Sequence, residues 1–346
     1  MNKSKIIFYI NNSKKLNYGI QILRLILSYL ILQFHCLNIG FTKNKILIFF
    51  VNAFHFYVPI FYVISFYFSY DIIKFKRINK IKLRFKRIII PYLIWPFLFF
   101  IMKNINYKIC GEDKYNFNDL YIQFLTGKRI YNPFWYLCNL ILSLILFCII
   151  SLLSRNNFLI IIQLLGILGS LYYQFHFYNN LFIRYIIEIR TLIKDFSKVI
   201  FYGAIGITLG DIKSISFLGN YRKRVVFFCI YSLYFIHDFL EILKHFYYLK
   251  CIIIGIGAII IFILFSILPL ENIENAQINK IIINITNYTG VVYYLHLKIK
   301  QILENKIIII KNGTFIGCIF IYIICYFICF LGIKFLGKTN LKYLFF

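Results

Sequence analysis

Residues 17–38, NYGIQILRLILSYLILQFHCLN, decide the fold class, because Arg24 and His35 are their only charged or imidazole side chains. A helix needs about 20 mostly apolar residues to cross the hydrocarbon core of a bilayer, and this stretch meets that requirement. Nine further stretches meet it, of which 88–102 and 198–212 are short: 46–70, 88–102, 133–153, 158–175, 198–212, 225–243, 249–268, 282–303 and 314–333. The pattern predicts an all-α polytopic transmembrane helical bundle of about ten spans.

The composition excludes a water-soluble fold. Of the 346 residues, 61% are hydrophobic and 15% are charged, whereas soluble domains average about 45–50% and about 25%. The formal net charge of +27 would suit a nucleic-acid-binding protein, but the basic residues lie mostly in short gaps between apolar stretches. We therefore expect the partner to be the lipid bilayer and not nucleic acid, and we expect one integral-membrane domain over residues 1–346 with no separate soluble domain.

One basic segment sets the predicted orientation. Residues 74–87, KFKRINKIKLRFKR, carry eight positive charges and no acidic residue. Basic loops stay on the cytoplasmic side, and an even number of spans places both termini there with the segment. The basic N-terminus precedes an apolar stretch that is too long for a cleaved signal peptide, so we expect this stretch to stay as the first span of a protein of the cytoplasmic (inner) membrane.

Arg24 and His35 are candidates for function, since a charge at membrane depth costs about 2.5–3.5 kcal/mol on insertion scales. They are eleven residues apart, which on an α-helix is three turns plus about 20°. Their side chains therefore share one helix face, about 16 Å apart along the axis. Two interpretations stay open: the pair lines a functional path, or Arg24 reaches the cytoplasmic headgroups while His35 lies at the opposite interface.

Further titratable or aromatic groups lie inside the predicted spans. His35, His296, His237 and Trp135 fall in the outer half of the predicted bundle, and His55 lies in the second span. Histidine titrates near neutral pH, so a ring of imidazoles suits proton transfer. Each residue alone would also fit an interfacial role.

Arg84 and Arg87 are spaced i, i+3 and share a helix face that leads into the third span, with Lys82 beside them. Guanidinium groups bind phosphate bidentately and stay charged when partly desolvated, so this face would suit an anion site. The alternative is that these charges only fix the topology. The sequence contains no Walker loop, G-x-G-x-x-G, H-E-x-x-H or G-x-S-x-G motif.

Five segments, in order, resemble elements of the membrane acyltransferase family three. The first span has the Arg-x10-His spacing of that family, and residues 58–70, VPIFYVISFYFSY, are similar to its V-P-[LI]-F-F-x-x-S-G-[YF] element. Residues 82–95 resemble its basic entry into the third span, 132–141 its Trp element, and 288–299 its late Tyr-x-x-Tyr-Leu-x-His element. The matching residues are Arg24, His35, Val58, Pro59, Phe61, Ser65, Arg84, Arg87, Pro91, Trp95, Trp135, Leu137, Tyr294 and His296.

Two departures from the family pattern are visible. Phe66 stands where the family has glycine after the serine, which bears on the backbone near Ser65. Residues 138–140 read Cys-Asn-Leu, without the acidic residue that follows the tryptophan in many polysaccharide acetyltransferases. The sequence is thus closer to the branch with a Trp-Phe-Leu element, which includes acetyl- and succinyltransferase-like proteins.

The resemblance implies transfer of an acyl group, usually acetyl, from cytoplasmic acyl-CoA to a hydroxyl of an extracytoplasmic or lipid-linked glycan. Acyl-CoA (acetyl-CoA) would be a donor substrate, and we expect no permanently bound cofactor and no metal. His35 would act as general base or carry an acyl intermediate. The other expected roles are catalysis by Arg24 and His296, donor binding by Arg84, Arg87 and Lys82, and acceptor binding by Trp135, Tyr294 and Ser65.

Two other hypotheses stay open at this level. Buried ionisable groups and glycine-rich short helices also suit a ten-span transporter or exporter of a glycan or small solute, although no two-fold repeat in hydropathy supports it. A family member that binds its acceptor without reacting would fit the Phe66 departure.

Overall fold

The computed structural model describes residues 18–36, 54–110, 115–127, 134–154, 157–178, 187–211, 247–266, 288–304 and 314–336, with 282, 285–286, 307, 310 and 339 as isolated positions. Ten helices lie in these ranges, and no strand does. They are α1 (Tyr18–Cys36), α2 (Phe54–Lys74), α3 (Ile78–Cys110), α4 (Phe117–Thr126), α5 (Trp135–Leu153), α6 (Phe158–Tyr178), α7 (Ile187–Asp211), α8 (Tyr247–Ser266), α9 (Thr289–Glu304) and α10 (Phe315–Leu336). The all-helical class predicted from the sequence is confirmed.

Five helices in the described part of the chain are long and apolar enough to cross a membrane: Tyr18–Cys36, Phe56–Lys74, Ile78–Ile105, Trp135–Leu153 and Phe315–Leu336. Their outward side chains include many exposed large hydrophobic residues, such as Leu153, Phe327 and Phe335, which in a soluble protein would be buried. The predicted seventh span, 225–243, lies outside the described residues. The number of spans and the cytoplasmic placement of the termini stay predictions.

Helices α3 and α4 differ from the sequence-based expectation. Helix α3 has 33 residues and begins within the basic segment, whereas the predicted third span began at residue 88. Helix α4 has only ten residues and lay in no predicted span. Its start is fixed by a capping box, in which Asn116 and Asp119 each accept from the other's backbone N–H, and Gly127 ends it in the left-handed region at φ 73°.

Helix α2 packs most extensively against α7. Phe66, the residue that departs from the family pattern, is fully buried in this contact and also packs on Phe147 of α5. Gly203 and Gly206 of α7 face Phe66: a Cβ at Gly203 would lie 2.9 Å from the Phe66 ring, and one at Gly206 would lie 2.9 Å from the Phe66 Cβ. Small residues on α7 therefore make the room that the large side chain on α2 occupies.

At one end of the α2–α7 contact, Tyr70 donates a hydrogen bond to Asp211, and Lys74 donates to both Tyr70 and Asp211. Because the Lys74–Asp211 pair is partly exposed, its contribution to stability is small, about 0–1 kcal/mol. The group fixes the ends of the two helices relative to each other.

Candidate functional site

A cavity of about 380 Å³ lies between α1, α2, α3, α5 and α9. Along α1 its wall runs from Gln21 to Ile31, which at 1.5 Å per residue is about 15 Å. Its lining consists of Gln21, Arg24, Ile31, Val58, Phe61, Ile64, Ser65, Phe68, Arg84, Arg87, Ile88, Tyr136, Leu137, Leu140, Thr289, Gly290, Tyr293 and Tyr294. The cavity thus combines cationic, hydroxyl and apolar walls, as binding sites for sizeable ligands do.

Three arginines line the cavity, and no acidic residue is among its described lining. Arg24 donates to the Gln21 side-chain oxygen at 3.0 Å and to the Thr289 hydroxyl at 3.4 Å. Arg84 donates through Nη2 to the backbone oxygen of Ser65 at 2.7 Å, while its buried Nε has no hydrogen-bond partner in the described structure. Cationic donors without a carboxylate partner favour binding of an anion.

The backbone around Ser65 is a regular helix in spite of the departure at Phe66. Helix α2 continues through both residues, and the Ser69 hydroxyl donates to the Ser65 backbone oxygen at 2.7 Å. The Ser65 side chain lines the cavity. The loss of the family glycine therefore leaves Ser65 in the wall.

His35 and His296 form an imidazole pair, with ring centroids 5.2 Å apart and planes tilted by 33°. His296 is fully buried, and its Nδ1 lies 3.0 Å from the backbone oxygen of Val292. A carbonyl oxygen only accepts hydrogen bonds, so neutral His296 carries its proton on Nδ1 and leaves Nε2 with a free lone pair. Nε2 is buried without a hydrogen-bond partner among the described residues, and an unoccupied buried acceptor of this kind is open to a hydrogen bond from an N–H or O–H donor.

The contacts of α9 connect the two titratable residues of α1. Arg24 bonds to Thr289 at the start of α9, and His35 contacts His296 two turns further along. The Lys300 side chain also donates to the His35 backbone oxygen at 3.1 Å. The shared helix face predicted from the spacing is confirmed, because both side chains reach the same neighbouring helix.

The imidazole pair lies next to the cavity and outside its lining. Ile31, one turn before His35, lines the cavity, and so does Tyr293, whose ring centroid is 6.3 Å from that of His296. The arginines and the imidazoles are therefore separated along α1 by the length of the cavity. Such an arrangement can hold an extended ligand whose anionic end binds the arginines and whose other end lies beside His35 and His296.

Of the other residues predicted for the site, some line the cavity and some do not. Tyr294 lines the cavity and stacks on Phe134 at 5.6 Å. Trp135 is half-buried and is not part of the cavity wall, which Tyr136, the next residue, joins instead. Lys82 is exposed on α3 and does not line the cavity. His237 and the side chain of His55 lie outside the described part of the chain.

Three residues with hydroxyl groups line the cavity but were not predicted from the sequence: Thr289, Tyr293 and Tyr136. Thr289 and Tyr293 belong to residues 288–299, a segment that the sequence analysis singled out through Tyr294 and His296. The family resemblance therefore pointed to the right segment but not to these two residues. Within the described ranges, no group of three His, Cys, Asp or Glu residues could hold a metal ion.

Comparisons with known proteins show the family. The acyltransferase 3 model, described as an acyltransferase domain, matches residues 17–334, nearly the whole chain. Searches of the curated proteins and of the solved structures give no match. Together with the apolar helices, the match shows an integral membrane protein. The chain belongs to the acyltransferase 3 family and is a membrane acyltransferase that transfers groups other than aminoacyl groups.

Proposed function

We propose that this enzyme moves a short acyl group, most simply acetyl, from cytoplasmic acyl-CoA to a hydroxyl of a cell-surface or lipid-linked glycan, in the cytoplasmic membrane. One observation carries the proposal: a single cavity has three guanidinium groups in its wall and an imidazole pair beside its other end. The coenzyme A part of the donor carries phosphates, which guanidinium groups bind bidentately. The thioester is at the opposite end of a long flexible arm, which the apolar wall accommodates.

In the proposed reaction, Arg24, Arg84 and Arg87 hold the phosphates, and the exposed Lys82 attracts the anionic donor from the cytoplasm. His35 faces the acceptor hydroxyl and takes its proton as the oxygen attacks the thioester carbonyl. The new C–O bond forms, the C–S bond breaks, and the thiolate of coenzyme A takes up the proton.

The unpaired Nε2 of His296 supports this chemistry, because it can accept a hydrogen bond from the N–H of His35 once His35 holds the proton; the two ring centroids lie 5.2 Å apart. Tyr294, which lines the cavity, provides an aromatic face for a sugar ring. Orientation of two reactants by such contacts is a large part of the catalytic effect in acyl transfer.

Mass spectrometry of surface glycans and glycolipids tests the proposal. Cells without the protein are compared with cells that produce the wild type, His35→Ala or Cys36→Ala at equal membrane levels. Cys36 is the matched control, because it is the buried neighbour of His35 on α1 and has no place in the mechanism. We expect an added acyl mass with the wild type and with Cys36→Ala and none with His35→Ala. Full acylation by His35→Ala would contradict the mechanism, and absence of any added mass with the wild type would contradict the proposed acceptor class.

A further inference from the structure

Tyr136 occupies the cationic part of the cavity. It is the second residue of α5, and its hydroxyl oxygen lies 3.4 Å from the Ser65 Oγ. The Ser65 backbone oxygen accepts a hydrogen bond from Arg84 at 2.7 Å, and Arg24 lines the same cavity as Tyr136, Ser65 and Arg84. Two hydroxyls and two cations from four different helices therefore meet at one place in the wall.

The neighbours of Tyr136 hold its ring in a fixed position. The ring centroid lies 4.5 Å from that of Tyr62 and 5.4 Å from that of Tyr293, and the Phe61 ring meets it edge-on at 6.4 Å. The Tyr62 hydroxyl donates to the backbone oxygen of Tyr136 at 3.2 Å. The hydroxyl is thus positioned before a ligand arrives, which reduces the entropic cost of binding.

One buried donor beside Tyr136 lacks a hydrogen-bond acceptor. The Nε of Arg84 is buried and has no hydrogen-bond partner in the described structure, although Nη2 of the same side chain is bonded to the Ser65 backbone. A buried donor without a partner is costly, and a bound ligand with acceptor oxygens would remove that cost. A phosphate group offers several charged oxygens to donors that converge from different directions.

We propose that Tyr136 is a further donor-binding residue: its hydroxyl, together with Arg24, Arg84 and Ser65, binds one phosphate group of the acyl donor. This inference rests on the proposed function for the identity of the donor. It implies that the enzyme selects phosphate-bearing thioesters against shorter thioesters such as S-acetylpantetheine, and that Tyr136 acts on donor affinity and not on the chemical step.

Binding measurements on the full chain in phosphatidylcholine nanodiscs test this. The probes are coenzyme A, pantetheine and inorganic pyrophosphate, and the variant is Tyr136→Phe, which keeps the ring and removes the hydroxyl. A hydrogen bond to a charged group corresponds to a loss of about tenfold or more in affinity. We expect that loss for coenzyme A and pyrophosphate and no change for pantetheine.

Tyr92→Phe is the matched control, because Tyr92 is buried, donates its hydroxyl to the Phe124 backbone at 2.7 Å, and does not line the cavity. It should bind coenzyme A like the wild type. Equal affinity of Tyr136→Phe and wild type for coenzyme A would overturn the role of Tyr136 and leave the proposed donor in place.

The two proposals can fail separately. If the wild type binds pyrophosphate but not coenzyme A, and Tyr136→Phe weakens pyrophosphate binding, the anion site stands and the proposed donor fails. Displacement of pyrophosphate by phosphatidylglycerol added to the nanodiscs would assign the site to a lipid headgroup and overturn the inference. Binding of neither anion by the wild type would overturn it as well.

Discussion

At the scale of single residues, the central feature is the tautomer of His296. The Val292 carbonyl fixes its proton on Nδ1 and leaves Nε2 as a buried hydrogen-bond acceptor beside His35. An imidazole with one fixed tautomer offers its acceptor nitrogen in a single direction. His35, which is only partly buried, is the member of the pair that an acceptor can approach.

We predict that His296→Gln lowers kcat by about 10–10²-fold, the cost of losing a hydrogen bond to the charged form of the base His35, and leaves the KM for acyl-CoA unchanged, because His296 lies outside the arginine-lined wall. Steady-state kinetics with the purified protein measure both values. Lys298→Gln is the control on the same helix, since Lys298 donates to Gln301 in an exposed hydrogen bond and does not line the cavity. A wild-type kcat in His296→Gln would remove this residue from the reaction.

Some residue positions in the site could be predicted from the sequence, and others could not. The Arg24–His35 spacing was sufficient to place both side chains on one face, because helical geometry alone determines that. The sequence could not show whether Trp135 or Tyr136 faces the cavity. Adjacent residues on a helix point about 100° apart, and only the packing of the helix decides which of them lines the wall. Thr289 reaches Arg24 across 265 positions of sequence, a contact that no local pattern contains.

At the scale of helices, the contact between α2 and α7 fixes the wall that carries Ser65. We predict that Gly203→Ala destabilises the protein by about 1–3 kcal/mol, the usual cost of overpacking, because its Cβ would lie 2.9 Å from both Phe66 and Phe147. In Gly203→Ala with Phe66→Ala, the smaller side chain at position 66 gives room to the new methyl group. The losses should therefore be less than additive.

Thermal unfolding in detergent measures these differences. Gly290→Ala serves as the control, because its added Cβ would lie 3.5 Å from the Tyr294 hydroxyl oxygen, which is an ordinary van der Waals contact. Strictly additive losses in the double variant would show that Phe66 and Gly203 do not accommodate each other.

Helix ends were predicted less well than helices, for physical reasons. The stretches that became α1, α5 and α10 are mostly apolar over about the bilayer thickness, and their length and composition identify them. Helix α3 starts at Ile78, ten residues before the apolar stretch that begins at 88. The residues between are largely basic and lower the hydropathy, but lysine and arginine are good helix formers, so the backbone there is helical. Helix α4 is short and polar at its start, so its capping box was the one available signal.

At the scale of the whole molecule, the cavity has a direction: arginines towards the start of α1 and imidazoles towards its end. The basic segment 74–87 predicts that the arginine end faces the cytoplasm. We predict that a fluorescent protein fused after residue 346 fluoresces and that alkaline phosphatase at the same position is inactive, as expected of a cytoplasmic terminus. Active phosphatase would reverse the orientation and with it the side from which the donor enters.

The most direct test of the central claim uses proteoliposomes with the protein in one orientation, labelled acetyl-CoA only on the side of the basic segment, and a glycan acceptor only on the other side. We predict label on the enclosed acceptor with the wild type and none with His35→Ala. Label that stays on coenzyme A with the wild type, or equal transfer by His35→Ala, would contradict it.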